Sequence, residues 1–142
     1  MVEYRAQFRG SPGSVRAARR AVVDYARLCG FDTTQTYEIA LGTGEALANA
    51  VEHGTKDLGF ITVSCRFDGS DMTIEISDEG PGFDFGGVAQ RRRDPDAVRG
   101  FGISIMHSVM DDVRYERHGN CVRLRKRRAS PAAPAVRSER EA

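Results

Sequence analysis

Thr36 to Gly54, TYEIALGTGEALANAVEHG, reads as one helix with chemistry along its flank. Apolar or small residues recur at Tyr37, Ala40, Leu41, Gly44, Leu47, Ala48 and Val51, the i, i+3, i+4, i+7 spacing of a helix laid on a core. Beside that stripe stand Glu38, Glu45, Asn49 and Glu52. Residues one turn apart point the same way, so Glu45 and Asn49 set a carboxylate and a carboxamide side by side. Such a pair can hold a proton acceptor next to a metal. It can equally belong to a solvated face, and the helix alone does not choose.

Upstream, Asp32 and Gln35 have capping-box spacing and open this helix, while Gly54 closes it as a left-handed terminator. His53 in the last turn is favoured by the helix dipole. Ser11 and Pro12 are a cap followed by proline at the first helical position. From there Val15, Ala18, Val22, Ala26 and Cys29 recur on one face of an earlier helix that ends at Gly30. Its other face carries Arg16, Arg19, Arg20, Asp24 and Arg27, either an ordinary solvated surface or one that binds a partner. Before it, Glu3 to Phe8 alternates loosely, as an edge strand does.

Downstream, Phe60 to Phe67 alternates with Ile61, Val63, Cys65 and Phe67 inward, and Asp68-Gly69-Ser70-Asp71 turns the chain into a returning strand with Met72, Ile74 and Ile76 inward. That strand runs into SDEGPGFDFGG. Phe83 to Arg99 has no periodicity, three successive arginines and Pro95, the composition of a mobile loop. RGFGISIMHSVMDDV then opens a third helix with Ile103, Met106, Val109 and Met110 inside. Val113 to Arg117, a His118-Gly119-Asn120 turn and Cys121 to Arg125 close the domain.

The whole is 142 residues with net charge +1, 40% hydrophobic and 29% charged, which fits one globular domain with a real core. We expect that domain over residues 1–128 and a disordered tail over 129–142, where SPAAPAVRSEREA has nothing to bury. No run approaches the ~20 apolar residues of a membrane span and the N-terminus lacks a signal-peptide core, so the expected location is cytoplasmic, with no membrane partner. Cys29, Cys65 and Cys121 are widely spaced, which argues for small core residues over a zinc site or a disulfide framework. The basic run RLRKRR, Arg123 to Arg128, is the one local feature that fits a nucleic-acid surface, a solvated terminus explains it at least as well, and the near-zero net charge gives no overall drive toward nucleic acid.

Singly, an Asp-x-Gly-x-Gly turn or a Gly-x-Gly before a helix is a weak signal. Here a helix with Glu45 and Asn49, a strand ending in Asp78-Glu79-Gly80-Pro81-Gly82, and Gly100-Phe101-Gly102 opening a helix follow in one order. That order resembles the ATP-binding fold of the GHKL superfamily. EALANAVEHG, DEGPGF and GFGISIMHSVMDDV are most similar to the bacterial anti-sigma-factor serine kinases, over roughly residues 3 to 126. The resemblance implies an α/β (α+β) two-layer sandwich, a mixed and mostly antiparallel sheet with helices on one face.

It also implies roles. Asp78 accepts the adenine amino group, and Gly80 and Gly82 let the backbone approach the base. Gly100, Phe101 and Gly102 form the phosphate turn. Asn49 is the Mg²⁺ ligand, with His53 inside the same motif, and Glu45 is the catalytic base. The loop holds no threonine or serine between Asp84 and Arg99, so Arg99 is the one candidate there for a γ-phosphate contact. The implied protein is an ATP- and Mg²⁺-dependent serine/threonine kinase that binds a sigma factor and phosphorylates an anti-anti-sigma (STAS-domain) partner, with a homodimer possible. A switch kinase without sigma binding, or an ATP-gated clamp without turnover, fits the same motifs.

Overall fold

The computed structural model describes residues 3–52, 59–78, 101–116 and 120–129. Five strands, β1 (Tyr4–Arg9), β2 (Phe60–Phe67), β3 (Asp71–Asp78), β4 (Asp112–Glu116) and β5 (Cys121–Arg127), form one sheet in the order β1-β2-β3-β5-β4. Every pairing among the described residues is antiparallel, so the described sheet has no parallel component. Three helices, α1 (Pro12–Leu28), α2 (Thr33–Ala50) and α3 (Phe101–Val109), cover one face. The inward residues of the strands, among them Ile61, Val63, Met72, Ile74, Ile76 and Leu124, pack in one cluster with Ala18, Val22, Ile39, Leu47 and Met106 of the helices. This is the two-layer α+β sandwich that the motif order implies.

Local signals account for most element ends. Ser11 caps α1 with Pro12 in its first turn, and Gly30, at φ +87°, releases the chain from it in the left-handed region that glycine enters without strain. Asp32 caps α2 by accepting from the Gln35 N–H at 2.7 Å. Only half of a capping box forms, because the Gln35 side chain turns away to the end of β5: Nε2 donates to the Arg127 carbonyl at 2.7 Å and Oε1 accepts from the Ala129 N–H at 3.1 Å. Beyond Ala50, Val51 and Glu52 continue in a wider, π-type turn.

The buried face of α2 is rotated by about one residue from the expected stripe. Thr36, Ile39, Gly42, Thr43, Ala46, Leu47 and Ala50 face inward, while Tyr37 is 65% exposed and Ala48 is exposed. The reason is packing on three sides. α2 is in contact with α1, α3 and the sheet, so its buried face is broader than one stripe, and small residues mark the tightest approach. A methyl on Gly42 would come within 3.1 Å of the Met110 sulfur and 3.3 Å of Val109 Cγ2.

That contact also orients α3. Val109 and Met110 lie beside Gly42, whereas Met106, one turn earlier, accepts a weak 4.0 Å contact from the Tyr115 hydroxyl, and Tyr115 faces Asn49. Going backward along α3 therefore means going forward along α2. The helices are antiparallel, and the first turn of α3 lies toward the Asn49 end.

The basic run is not a solvated terminus. Arg123 Nε pairs with Glu75 at 2.8 Å across the β3–β5 register, and Arg125 and Arg127 reach Asp71 at 2.9 and 3.2 Å. Arg128 donates to the Cys29 carbonyl at 2.7 Å and lies over the Phe67 ring. All three cysteines are buried free thiols, as small core residues are expected to be. No described helix is long and apolar enough to cross a membrane.

Candidate functional site

Where the C-terminal half of α2 passes over the ends of β3 and β5, a narrow cleft opens. Ala46 and Ala50 of α2 and Ile76 and Val122 of the sheet give it apolar walls. Its polar groups are Asn49, Asp78, Tyr115 and Asn120. Two residues expected to act together from the sequence, Asn49 and Asp78, thus line one cleft although they come from different elements. Glu45, one turn before Asn49, is partly exposed on the same flank of α2.

Asp78 is positioned by the strand and by a residue the sequence analysis treated only as a turn. Its backbone N–H donates to the Asn120 carbonyl at 2.9 Å, and Asn120 Nδ2 donates to Asp78 Oδ1 at 3.1 Å. The signal for Asn120 was the register: β3 and β5 pair Ser77 with Cys121, so the next pair outward is Asp78 with Asn120. Reading it required knowing that the last hairpin lies against β3. A carboxylate at the edge of a core is costly unless hydrogen bonds hold it, and Asn120 supplies one.

Thr43 Oγ1, earlier on α2, is buried without a hydrogen-bond partner among the described residues, and so is one atom of Asn49, which lines the cleft. In Asn49 that atom is Nδ2. Tyr115, at the cleft wall, has its hydroxyl pKa pushed above the ordinary value by burial, while the Asn49 amide, close to the hydroxyl but outside hydrogen-bond geometry, acts in the opposite direction. A buried amide without a full set of bonds costs stability, about 1–3 kcal/mol, so the position favours a polar ligand over an empty cleft.

His53, Gly80, Gly82, Arg99, Gly100 and the expected loop over Phe83 to Arg99 lie outside the described residues, as does the expected tail from residue 130 on. Phe101 and Gly102 form the first turn of α3. The larger concavities are elsewhere. Volumes of about 540 and 420 Å³ lie in the groove between α1 and α2, along Arg19, Arg20, Arg27 and Tyr37, against about 10 Å³ in the cleft. Size alone favours the groove, but the cleft alone of the two combines a carboxylate held by Asn120 with a buried Asn49 Nδ2 that has no hydrogen-bond partner among the described residues.

A two-layer antiparallel sandwich with a carboxylate at a strand end, an asparagine on the overlying helix and a glycine-opened helix pointing at the same end is the architecture of a nucleotide-binding domain. The sequence from residue 8 to 126 matches the histidine kinase-like ATPase domain, and the chain belongs to that family. It is similar to an anti-sigma F factor of Thermoanaerobacter sp. (strain X514), 28% identical over 117 residues that cover 77% of this chain and 82% of that protein. It is also similar to the serine-protein kinase RsbW of Bacillus subtilis (strain 168), 28% identical over 117 residues, 75% of this chain and 73% of the relative. Among solved structures, the RsbU and RsbW domains of Rv1364c from Mycobacterium tuberculosis superpose with a TM-score of 0.64 over 90% of this chain. At 16% identity that likeness is one of fold, and the matched part is 32% of the longer chain.

Proposed function

We propose that this protein is an ATP- and Mg²⁺-dependent serine/threonine kinase that also acts as an anti-sigma factor, binding a sigma factor in one state and phosphorylating a small anti-anti-sigma partner in the other. The observation that carries the reading is that the Asn120-held Asp78 and Asn49, whose buried Nδ2 has no hydrogen-bond partner among the described residues, line one cleft. The names of the relatives, an anti-sigma factor and a serine-protein kinase, support a sigma factor and a serine-bearing protein as partners, and the motif resemblance adds that the second is an anti-anti-sigma protein.

In this reading Asp78 selects the base. A carboxylate accepts hydrogen bonds, so it favours adenine, which presents an amino group where guanine presents a carbonyl. The first turn of α3 offers unpaired backbone N–H groups and a positive dipole end to phosphate oxygens. The amide oxygen of Asn49, a hard ligand, would hold Mg²⁺, and the ion would supply charge neutralisation at the phosphates. Glu45 takes the proton of the partner's serine hydroxyl as that oxygen bonds to the γ-phosphorus and the bond to ADP breaks. The arginine-lined groove between α1 and α2 is the surface assigned to a protein partner.

The test is incubation of the purified protein with labelled ATP and a STAS-domain partner, with Asp78→Asn as the nucleotide-binding control. Label on a partner serine or threonine that disappears in the control supports the kinase. Nucleotide binding without transfer leaves an ATP-gated clamp. Capture of a sigma factor under ATP separates the anti-sigma reading from a switch kinase that binds none.

A further inference from the structure

Lys126 is the buried charge that the proposed chemistry does not use. It sits on the inward face of β5, 8% exposed, in line with Val122 and Leu124. An ammonium so placed is costly unless it is fully bonded. Its Nζ meets Glu38 Oε1 of α2 at 2.7 Å and donates to the Val109 carbonyl in the last turn of α3. One ammonium therefore joins three elements, and it does so where cations favour a helix C-terminus. Next to it Asp111 Oδ2 accepts from the Arg127 N–H at 2.7 Å, and the Asp111 N–H donates to the Arg125 carbonyl at 2.9 Å. The C-terminal end of α3 is fastened to β5 and α2 together.

Because α3 is antiparallel to α2, the end that Lys126 fastens is the far one from Asn49. Glu38 lies eleven positions before Asn49, three turns and within ~20° of the same helix face. We infer that the Glu38–Lys126–Val109 junction is a positioning device: it sets the height of α3 along α2, and so the distance of the first turn of α3 from Asn49. Glu38, Lys126 and Val109 touch no nucleotide, so they are positioning residues and not catalytic ones. The inference rests on the proposed nucleotide site for its functional consequence, but the junction itself can be tested without nucleotide.

Two variants test it. Lys126→Met keeps the aliphatic length and removes the charge, and Glu38→Gln keeps a hydrogen bond while removing the ion pair at a side chain that is 34% exposed, where the change is compatible with folding. The expected result is selective. Affinity for ATP and ADP falls ~10-fold in Lys126→Met and ~3-fold in Glu38→Gln, while adenosine, which reaches only the Asp78 end, binds within twofold of wild type. Amide exchange quickens in α3 and stays unchanged in the β2–β3 hairpin. A parallel loss of adenosine and ATP affinity, or α3 exchange at the wild-type rate, would overturn the positioning role. A wild-type protein that binds no ATP defeats the nucleotide reading instead, and exchange in α3 still decides the junction.

Discussion

The two ends of the sandwich are built on opposite principles. At the end where β5 finishes, nearly every polar group is answered: Gln35 brackets residues 127 and 129, Arg128 reaches back to Cys29, Asp71 takes two arginines, and Lys126 joins α2 to α3. At the other end Asn49 carries a buried amide with no partner among the described residues, beside a carboxylate held by Asn120. Hydrogen bonds satisfied within the chain add to stability and leave nothing to offer a ligand. Groups left wanting do the reverse. The difference separates the part of the chain that holds the fold from the part available for chemistry.

The largest expected effect lies at the open end. Glu45→Gln keeps shape and hydrogen bonding but removes the proton acceptor, so phosphate transfer should fall by ~10²–10⁴ while ATP and partner still bind. Transfer at the wild-type rate, measured beside ATP affinity, would remove Glu45 from the chemistry and put the proton acceptor at another group.

Asn49→Ala sharpens the contrast further. It takes away a metal ligand in the proposed site, and ATP affinity in Mg²⁺ should drop by roughly 10-fold or more, the equivalent of one lost hydrogen bond to a charged group, about 1.5–3 kcal/mol. It also removes an unsatisfied buried group, so the melting temperature should hold or rise. A fall in stability together with unchanged affinity would mean that Asn49 is a structural residue.

How legible this contrast was in the sequence depended on range. The β2–β3 hairpin was readable because alternation and the Asp68-Gly69 turn are local, and Ser11-Pro12 marked the start of α1 for the same reason. Asp78 and Asn49 were found through motif order and fall in one cleft. The face of α2 was misjudged because Thr36, Thr43 and Gly42, which face inward, do not register as apolar, whereas Tyr37 and Ala48, which do, face outward. The role of RLRKRR was invisible because its partners, Glu38, Asp71 and Cys29, stand 54 to 99 positions away and on other elements. Asn120 was missed for want of the same register.

The closed end should respond in stability alone. Gln35→Ala loses both bonds to the end of β5, at an exposed site where water replaces part of them, so about 1 kcal/mol and a melting temperature lower by about 2–5 °C are expected. ATP affinity should stay within twofold. A Gln35→Ala protein with weakened ATP binding would show that the two ends are not separable as described.

The smallest effect is a pH dependence at Asp71. Burial acts to raise its pKa, but the hydrogen bonds from Arg125, Arg127 and Ser70 together outweigh that, and the carboxyl titrates below its ordinary value. A carboxylate whose folded pKa is depressed adds stability that is present above the unfolded pKa, near 3.9, and is lost as pH falls through the folded one. Asp71→Asn should therefore be slightly less stable at neutral pH, by about 1 kcal/mol or less because Arg127 is largely exposed and water screens the pair. The variant and wild-type melting temperatures should then converge as pH drops below about 4. Melting curves taken from pH 7 to pH 2.5 decide it. A constant offset across that range would mean that the loss at position 71 comes from packing in the Asp68 turn, and the ion pairs with β5 would no longer account for the stability of the closed end.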